Sequence, residues 1–153
     1  MIGVGDPIPD VQVWRSTSET VGLRQLAGKS PYLLLSYLFH CSSTCTNELS
    51  QLNSRRDELL TTGVTPYGIS RDSPWSHVAW QQALDIEVPL LSDWTGEAVH
   101  SLEIVQEFRG LPDVARRAAF VVDGEGIIRG AWRYGASETS DFDMLVESAR
   151  SLS

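Results

Sequence analysis

Tyr32-Leu-Leu-Leu-Ser-Tyr-Leu-Phe-His-Cys41-Ser-Ser-Thr-Cys45-Thr-Asn-Glu-Leu49 is the stretch whose reading decides the fold, and it ends in both cysteines of the chain. From 32 to 39 every residue but Ser36 is apolar or aromatic. A half-exposed strand alternates polar and apolar residues, whereas one covered on both faces does not, so this run predicts a buried central strand. From Cys45 onward the spacing changes. Leucines recur at Leu49, Leu52, Leu59 and Leu60 with polar residues between them, which predicts a helix that Gly63 is placed to stop. Cys45 then falls in the first helical turn, where unpaired N–H groups and the helix dipole favour a thiolate over a thiol. The alternative is that both cysteines are small buried apolar residues.

Length and composition set the bounds. With 153 residues, 42% of them hydrophobic, the chain is the size of one domain spanning 1–153 and can bury a core. A formal charge of −8, with Lys29 as the single lysine beside eleven arginines, argues against nucleic acid or an anionic membrane surface as partner. Met1-Ile-Gly-Val-Gly-Asp6 has no basic segment leading into an apolar one, and no apolar run reaches the length of a membrane span. The expectation is a soluble, cytoplasmic protein. In a reducing compartment two cysteines do not make a structural framework, so the spacing Cys41-x-x-x-Cys45 leaves redox chemistry, metal binding or coincidence.

Around the central run the chain alternates strands and helices. Val11 and Val13, then Val21 and Leu23, flank the turn Ser16-Thr-Ser-Glu19 and predict an N-terminal hairpin, with residues 26–31 as a connector. Val64 to Ser70 reads as a strand despite Pro66. Ser73-Pro74 caps a helix whose apolar face is read as Val78, Ala79 and Ala83, and Val88 to Asp93 as a third short strand. A brief helix is expected over 97–102 and a loop over 107–114. Ala118 to Asp123 and Ile127 to Trp132, joined by Gly124-Glu-Gly126, form a hairpin, and Asp141 to Leu152 a closing helix with Phe142, Leu145, Val146, Ala149 and Leu152 on one face. This order predicts an α/β fold with a mixed central sheet flanked by helices.

Five motifs in order resemble the peroxiredoxins of the thioredoxin-like fold, in particular the bacterioferritin-comigratory and alkyl hydroperoxidase E branch. They are Gly5-Asp-x-x-Pro-Asp10, Cys45-Thr-x-Glu-Leu49, Gly68-Ile-Ser-x-Asp-Ser-Pro74, Val88-Pro-Leu-Leu-Ser-Asp93 and Arg117-Ala-Ala-Phe-Val-Val-Asp123, together covering nearly the whole chain. The resemblance implies that Cys45 attacks peroxide, that Ser42 stands where the family has a threonine, that Arg117 is the buried arginine of the site and that Glu48 orients it. Leu38 replaces the family's cysteine-shielding proline. Ser42 keeps a hydroxyl able to bond sulfur or peroxide.

A shorter string, Phe39-His40-Cys41-x-x-x-Cys45, resembles the copper site of Sco-type chaperones. Those proteins add a distant histidine, and the matching positions here are Val114-Ala-Arg-Arg117. His40 is expected to point away, and His77 and His100 to lie on the surface.

The expected activity is thiol-dependent reduction of hydrogen peroxide or organic hydroperoxides through a sulfenic acid on Cys45, without cofactor or metal. Arg117 would stabilise the thiolate and the charge of the breaking O–O bond. Cys41, four residues earlier, could close a disulfide with Cys45, to be reopened by a thioredoxin-like or low-molecular-weight thiol. By resemblance the chain could form a homodimer. Two alternatives use the same cysteines: a thiol–disulfide oxidoreductase and a copper-binding protein.

Overall fold

The structure, a computed structural model, describes residues 1–28, 30–39, 43–135, 138 and 140–152, with Ser43 and Thr44 as backbone only. The N-terminal hairpin forms as its valines predict. Strand β1 (Gln12–Trp14) pairs antiparallel with β2 (Thr20–Gly22), Val13 opposite Val21, both buried. Leu23, expected to extend β2, instead begins a short helix α1 (Leu23–Ala27), which runs two residues into the stretch expected as a connector. The reason is local: Gln25 Oε1 accepts the Gly22 N–H at 3.0 Å, and Leu23 and Ala27 are buried.

Strand β3 (Tyr32–Ser36) is buried at every position, as the unbroken apolar run predicts, although it ends three residues sooner. Ser36, its one polar residue, has its hydroxyl satisfied by the carbonyls of Arg116 at 2.7 Å and Ala118 at 3.2 Å. On one side β3 pairs parallel with β4 (Thr65–Ser70), and on the other antiparallel with β8 (Ala118–Val122). Further out lie β5 (Leu90–Ser92), parallel to β4, and β9 (Ile128–Arg133), antiparallel to β8, giving the order β2-β1-β5-β4-β3-β8-β9. Pro66 fits inside β4 because backbone bonds alternate sides. Thr65 donates toward β3 and Gly68 toward β5, so the missing donor of Pro66 faces the β5 side, and β5 pairs only with residues 68–70.

One face of the sheet carries Leu33 and Leu35 against α2 (Ser43–Ser54), α3 (Arg56–Thr61), α4 (Pro74–Leu84) and α6 (Phe142–Arg150). The other carries Tyr32 and Leu34 against α1, the hairpin and α5 (Glu97–Ser101). Gly68 lets the cysteine-bearing layer sit close: a Cβ there would come within 2.9 Å of Leu90 and 3.2 Å of Leu49.

Three further expectations are corrected. The single helix read from Cys45 to Gly63 is two, because Arg55 leaves helical geometry (φ −97°, ψ 4°), and Leu60 is exposed while Leu59 is buried. On α4, Ser73 caps as expected, its hydroxyl accepting from Ser76 N at 3.1 Å, but Val78, Ala79 and Ala83 face outward and the buried face is Pro74, His77 and Trp80. The stretch 107–114, read as a loop from Gly110 and Pro112, lies in a hairpin of β6 (Val105–Phe108) and β7 (Leu111–Ala115). Its turn, Arg109-Gly110, has both residues at positive φ, 51° and 87°, and Pro112 is tolerated in a two-stranded ribbon with open edges. The closing helix is capped by Asp141 and buries Phe142, Leu145, Val146 and Ala149, with Leu152 beyond its end. Among the described residues no helix is long and apolar enough to cross a membrane.

Candidate active site

Strands β3, β4 and β5 run parallel, so their C-terminal ends share one edge of the sheet, and the chain leaving β3 enters α2 there. Cys45 is the third residue of α2 and is fully buried. First-turn N–H groups have no partner within a helix, so its sulfur sits at an end that favours negative charge. Leu38, in place of the family's proline, packs partly buried against the cluster that contains Cys45.

The cation arrives from the far side of β3. The antiparallel register sets Ser36 opposite Ala118, so the start of β8 lies beside the end of β3 and Arg117 stands next to the segment that leads to Cys45. Its Nη1 donates to Cys45 Sγ at 3.4 Å. The neighbouring Arg116 is exposed, and its Nε donates to the Val105 carbonyl at 3.4 Å. The ribbon that delivers Arg117 is tied down by Arg71, whose Nη1 donates to the Asp113 carbonyl.

Glu48 follows Cys45 by three residues, the spacing that stacks side chains on one helical face. It is fully buried, and its Oε2 accepts from Arg117 Nη1 at 2.7 Å. One guanidinium nitrogen thus serves both the sulfur and the carboxylate. The other oxygen, Oε1, accepts from the Ser140 N–H at 2.8 Å and from its hydroxyl at 2.5 Å. Burial alone would pull the Arg117 pKa down, but the Glu48 hydrogen bond and the nearby charges of Cys45 and Glu48 outweigh it and raise the value. Arg117 is therefore a fixed cation against the sulfur.

The structure brings together Cys45, Arg117 and Glu48 of the residues singled out from sequence; Cys41, Ser42 and His40 lie outside the described residues. It adds two groups that sequence reading missed. Ser140 precedes the N-cap of α6 and carries no motif. His77, expected on the surface, is 2% exposed: its Nε2 lies 3.0 Å from the Leu91 carbonyl, which as an acceptor assigns a proton there, and its Nδ1 lies 3.3 Å from the Tyr37 hydroxyl. Burial, with the charges of Asp72 and Cys45, raises the Tyr37 pKa well above the ordinary phenol value against the opposing Ser70 hydrogen bond, so Tyr37 stays neutral. The helical spacing of Pro74, His77 and Trp80 was the available signal. His100 is exposed and lies 2.9 Å from Asp113. Among the described residues no group of three or more His, Cys, Asp or Glu side chains is placed to hold a metal ion.

A sequence model of the AhpC/TSA family matches residues 4–131. A peroxiredoxin of Pyrococcus abyssi is 28% identical over 160 residues, covering 99% of this chain and 72% of its own length, and one of Archaeoglobus fulgidus is 27% identical over 155 residues, covering 97% and 71%. Among solved structures, peroxidoxin BcpB of Mycobacterium tuberculosis superposes with a TM-score of 0.88 at 19% identity, covering 100% of this chain and 99% of that one. The bacterioferritin comigratory protein of Xanthomonas campestris gives 0.83 at 22% identity, with 98% of each chain covered. These two structures agree in fold with the thioredoxin-like, mixed-sheet architecture expected from the sequence.

Proposed function

Because the chain belongs to the AhpC/TSA family and is a thiol-dependent peroxidase of the peroxiredoxin type, we propose that Cys45 attacks the peroxide, with Arg117 as its charge partner and Glu48 as the anchor of that arginine. The observation that carries this assignment is the single Arg117 nitrogen donating to both Cys45 Sγ and Glu48 Oε2 within a buried site. The Cys45 thiolate displaces at the terminal peroxide oxygen. An S–O bond forms as the O–O bond breaks, and the leaving alkoxide or hydroxide takes a proton to become alcohol or water. Sulfur loses two electrons and becomes a sulfenic acid. The guanidinium, already fixed by Glu48, stabilises the negative charge that spreads over the oxygens as the bond breaks, without reorganising during the step. Ser42 would orient the peroxide through its hydroxyl.

Two electrons must then return from a thiol. In this proposal Cys41 condenses with the sulfenic acid, releasing water and forming a disulfide, and a thioredoxin-like protein or a small thiol reduces it. Reducing thiols of this kind are kept in the cytoplasm, and the proposal takes the protein to act there as one domain over 1–153. A homodimer belongs to the same proposal. The outward face of α4 carries Trp75 and Val78, Trp94 lies nearby across a cavity it shares with Trp14, Pro74 and Trp75, and a second copy would cover this apolar surface. The test of the assignment is the rate of hydrogen peroxide consumption with dithiothreitol as reductant, which should depend on Cys45 and Arg117.

A further inference from the structure

We propose that Ser140 is a positioning residue for peroxide reduction, holding the Glu48 carboxylate in the one orientation that aims Arg117 at Cys45. The inference rests on the reading of Cys45 as the attacking residue and assigns a task to a segment that contributes no motif residue. Ser140 stands 92 residues from Glu48 in sequence, yet both of its donors converge on Glu48 Oε1, at 2.8 Å and 2.5 Å. It is 6% exposed, while Glu138 and Asp141 on either side are exposed. Its backbone is fixed from the C-terminal side, because Asp141 caps α6 by accepting the Met144 N–H at 3.1 Å.

The physical reason lies in the carboxylate's own freedom. The terminal torsion of a glutamate is broad, so an ion pair through one oxygen leaves the plane of the group free to turn. Two donors on Oε1 fix that plane. Oε2 is then presented in one direction, Arg117 Nη1 meets it at 2.7 Å, and the same nitrogen is left 3.4 Å from the sulfur. A hydroxyl on a short side chain is required, because only then do the main-chain N–H and the side-chain O–H of one residue reach the same oxygen. Alanine keeps the first donor and loses the second.

The expected result for Ser140→Ala is a rate constant for Cys45 oxidation by hydrogen peroxide lowered roughly three- to tenfold, the loss of one hydrogen bond to a buried charge felt at one remove. Alkylation of Cys45 by iodoacetamide should also slow, by a smaller factor, since alkylation breaks no O–O bond for Arg117 to assist. Ser140→Gly should behave like Ser140→Ala, and Ser140→Thr, which keeps the hydroxyl, should restore the rate. On a Glu48→Gln background, Ser140→Ala should cost little more, because the two act through one link. Equal peroxide rates in wild type and Ser140→Ala would overturn the proposal, as would equal factors of loss for peroxide and iodoacetamide, or a full additional loss on the Glu48→Gln background. A wild type that consumes no peroxide contradicts the peroxidase reading instead. The Ser140 link is then judged on alkylation, where equal rates in wild type and Ser140→Ala overturn it.

Discussion

Ser36 stands opposite Ala118 in the antiparallel pairing of β3 and β8, and this register sets the cation of the site beside its sulfur. A slip of one residue would turn every side chain of β8 to the other face. Arg117 would then point where Arg116 does, into solvent. The register is held by Ser36 itself, whose hydroxyl bonds the carbonyls of Arg116 and Ala118 on either side of Arg117.

Arg117→Met should therefore slow oxidation of Cys45 by peroxide by roughly 10²-fold, the usual size of losing one preorganised charge stabiliser. Arg116→Met should change it less than about twofold, as an exposed charge is largely screened. Stopped-flow tryptophan fluorescence reads both, and similar losses in the two variants would contradict the register assignment.

Glu48→Leu should be costly in stability as well as activity. It leaves the buried Arg117 guanidinium without its carboxylate, a change expected to cost about 3–5 kcal/mol. Urea unfolding of the wild type and the variant measures it. A difference below about 1 kcal/mol would mean that solvent or another group takes over the role of Glu48.

Asp123 gives a pH dependence with a definite sign. Burial pushes its pKa up, but the N–H of Ile127 at 3.0 Å, Arg129 Nε at 2.6 Å and the N–H of Glu125 at 2.9 Å together hold it below the ordinary carboxylate value. A carboxyl with a depressed folded pKa contributes stability that is complete above its unfolded pKa and is lost as pH falls through the folded one. Asp123→Asn should thus lower stability near neutrality and flatten the acid limb of the unfolding curve. A variant whose acid limb matches the wild type would show that the turn does not depend on that charge.

Treatment with one equivalent of hydrogen peroxide should give an intramolecular Cys41–Cys45 disulfide, seen by mass spectrometry as a loss of two hydrogens and by titration as a loss of two thiols. A thiol four residues from the sulfenic acid meets it at high effective concentration. The bridge requires the two α-carbons to approach within about 7 Å, which the first turn of α2 must permit. Cys41→Ser should accumulate sulfenic acid and overoxidise. A stable sulfenic acid in the wild type, or dimers linked through Cys45, would make Cys41 a bystander.

What could be read from the chain follows from how local each signal is. The run from Tyr32 to Leu49 announces its strand and helix because burial on both faces removes alternation and the leucine spacing resets at Cys45. The hairpin of β8 and β9 is likewise written in Gly124-Glu-Gly126. On α4 the expected face, Val78, Ala79 and Ala83, differs from the buried one, Pro74, His77 and Trp80. His77 is buried only because Tyr37 and the Leu91 carbonyl satisfy its ring, and both are distant in sequence. The ribbon of β6 and β7 reads as a loop because glycine and proline signal turns, while an Arg-Gly pair at positive φ makes the turn within a hairpin. In the site, Cys45 is legible from its place in the first turn of a helix, and Glu48 and Arg117 through the motifs that carry the family resemblance. Ser140 was invisible, because its role exists only through a contact across 92 residues.

The central claim is that Cys45 is the residue that reacts with peroxide, and the most direct measurement is peroxide consumption by Cys45→Ser beside the wild type, with dithiothreitol as reductant and circular dichroism to establish that both are folded. A serine hydroxyl is close in size to the thiol but cannot act as the nucleophile at neutral pH. The expected result is steady turnover by the wild type and none above the uncatalysed background by a folded Cys45→Ser. Substantial turnover by that variant would contradict the account and move the attacking sulfur to Cys41.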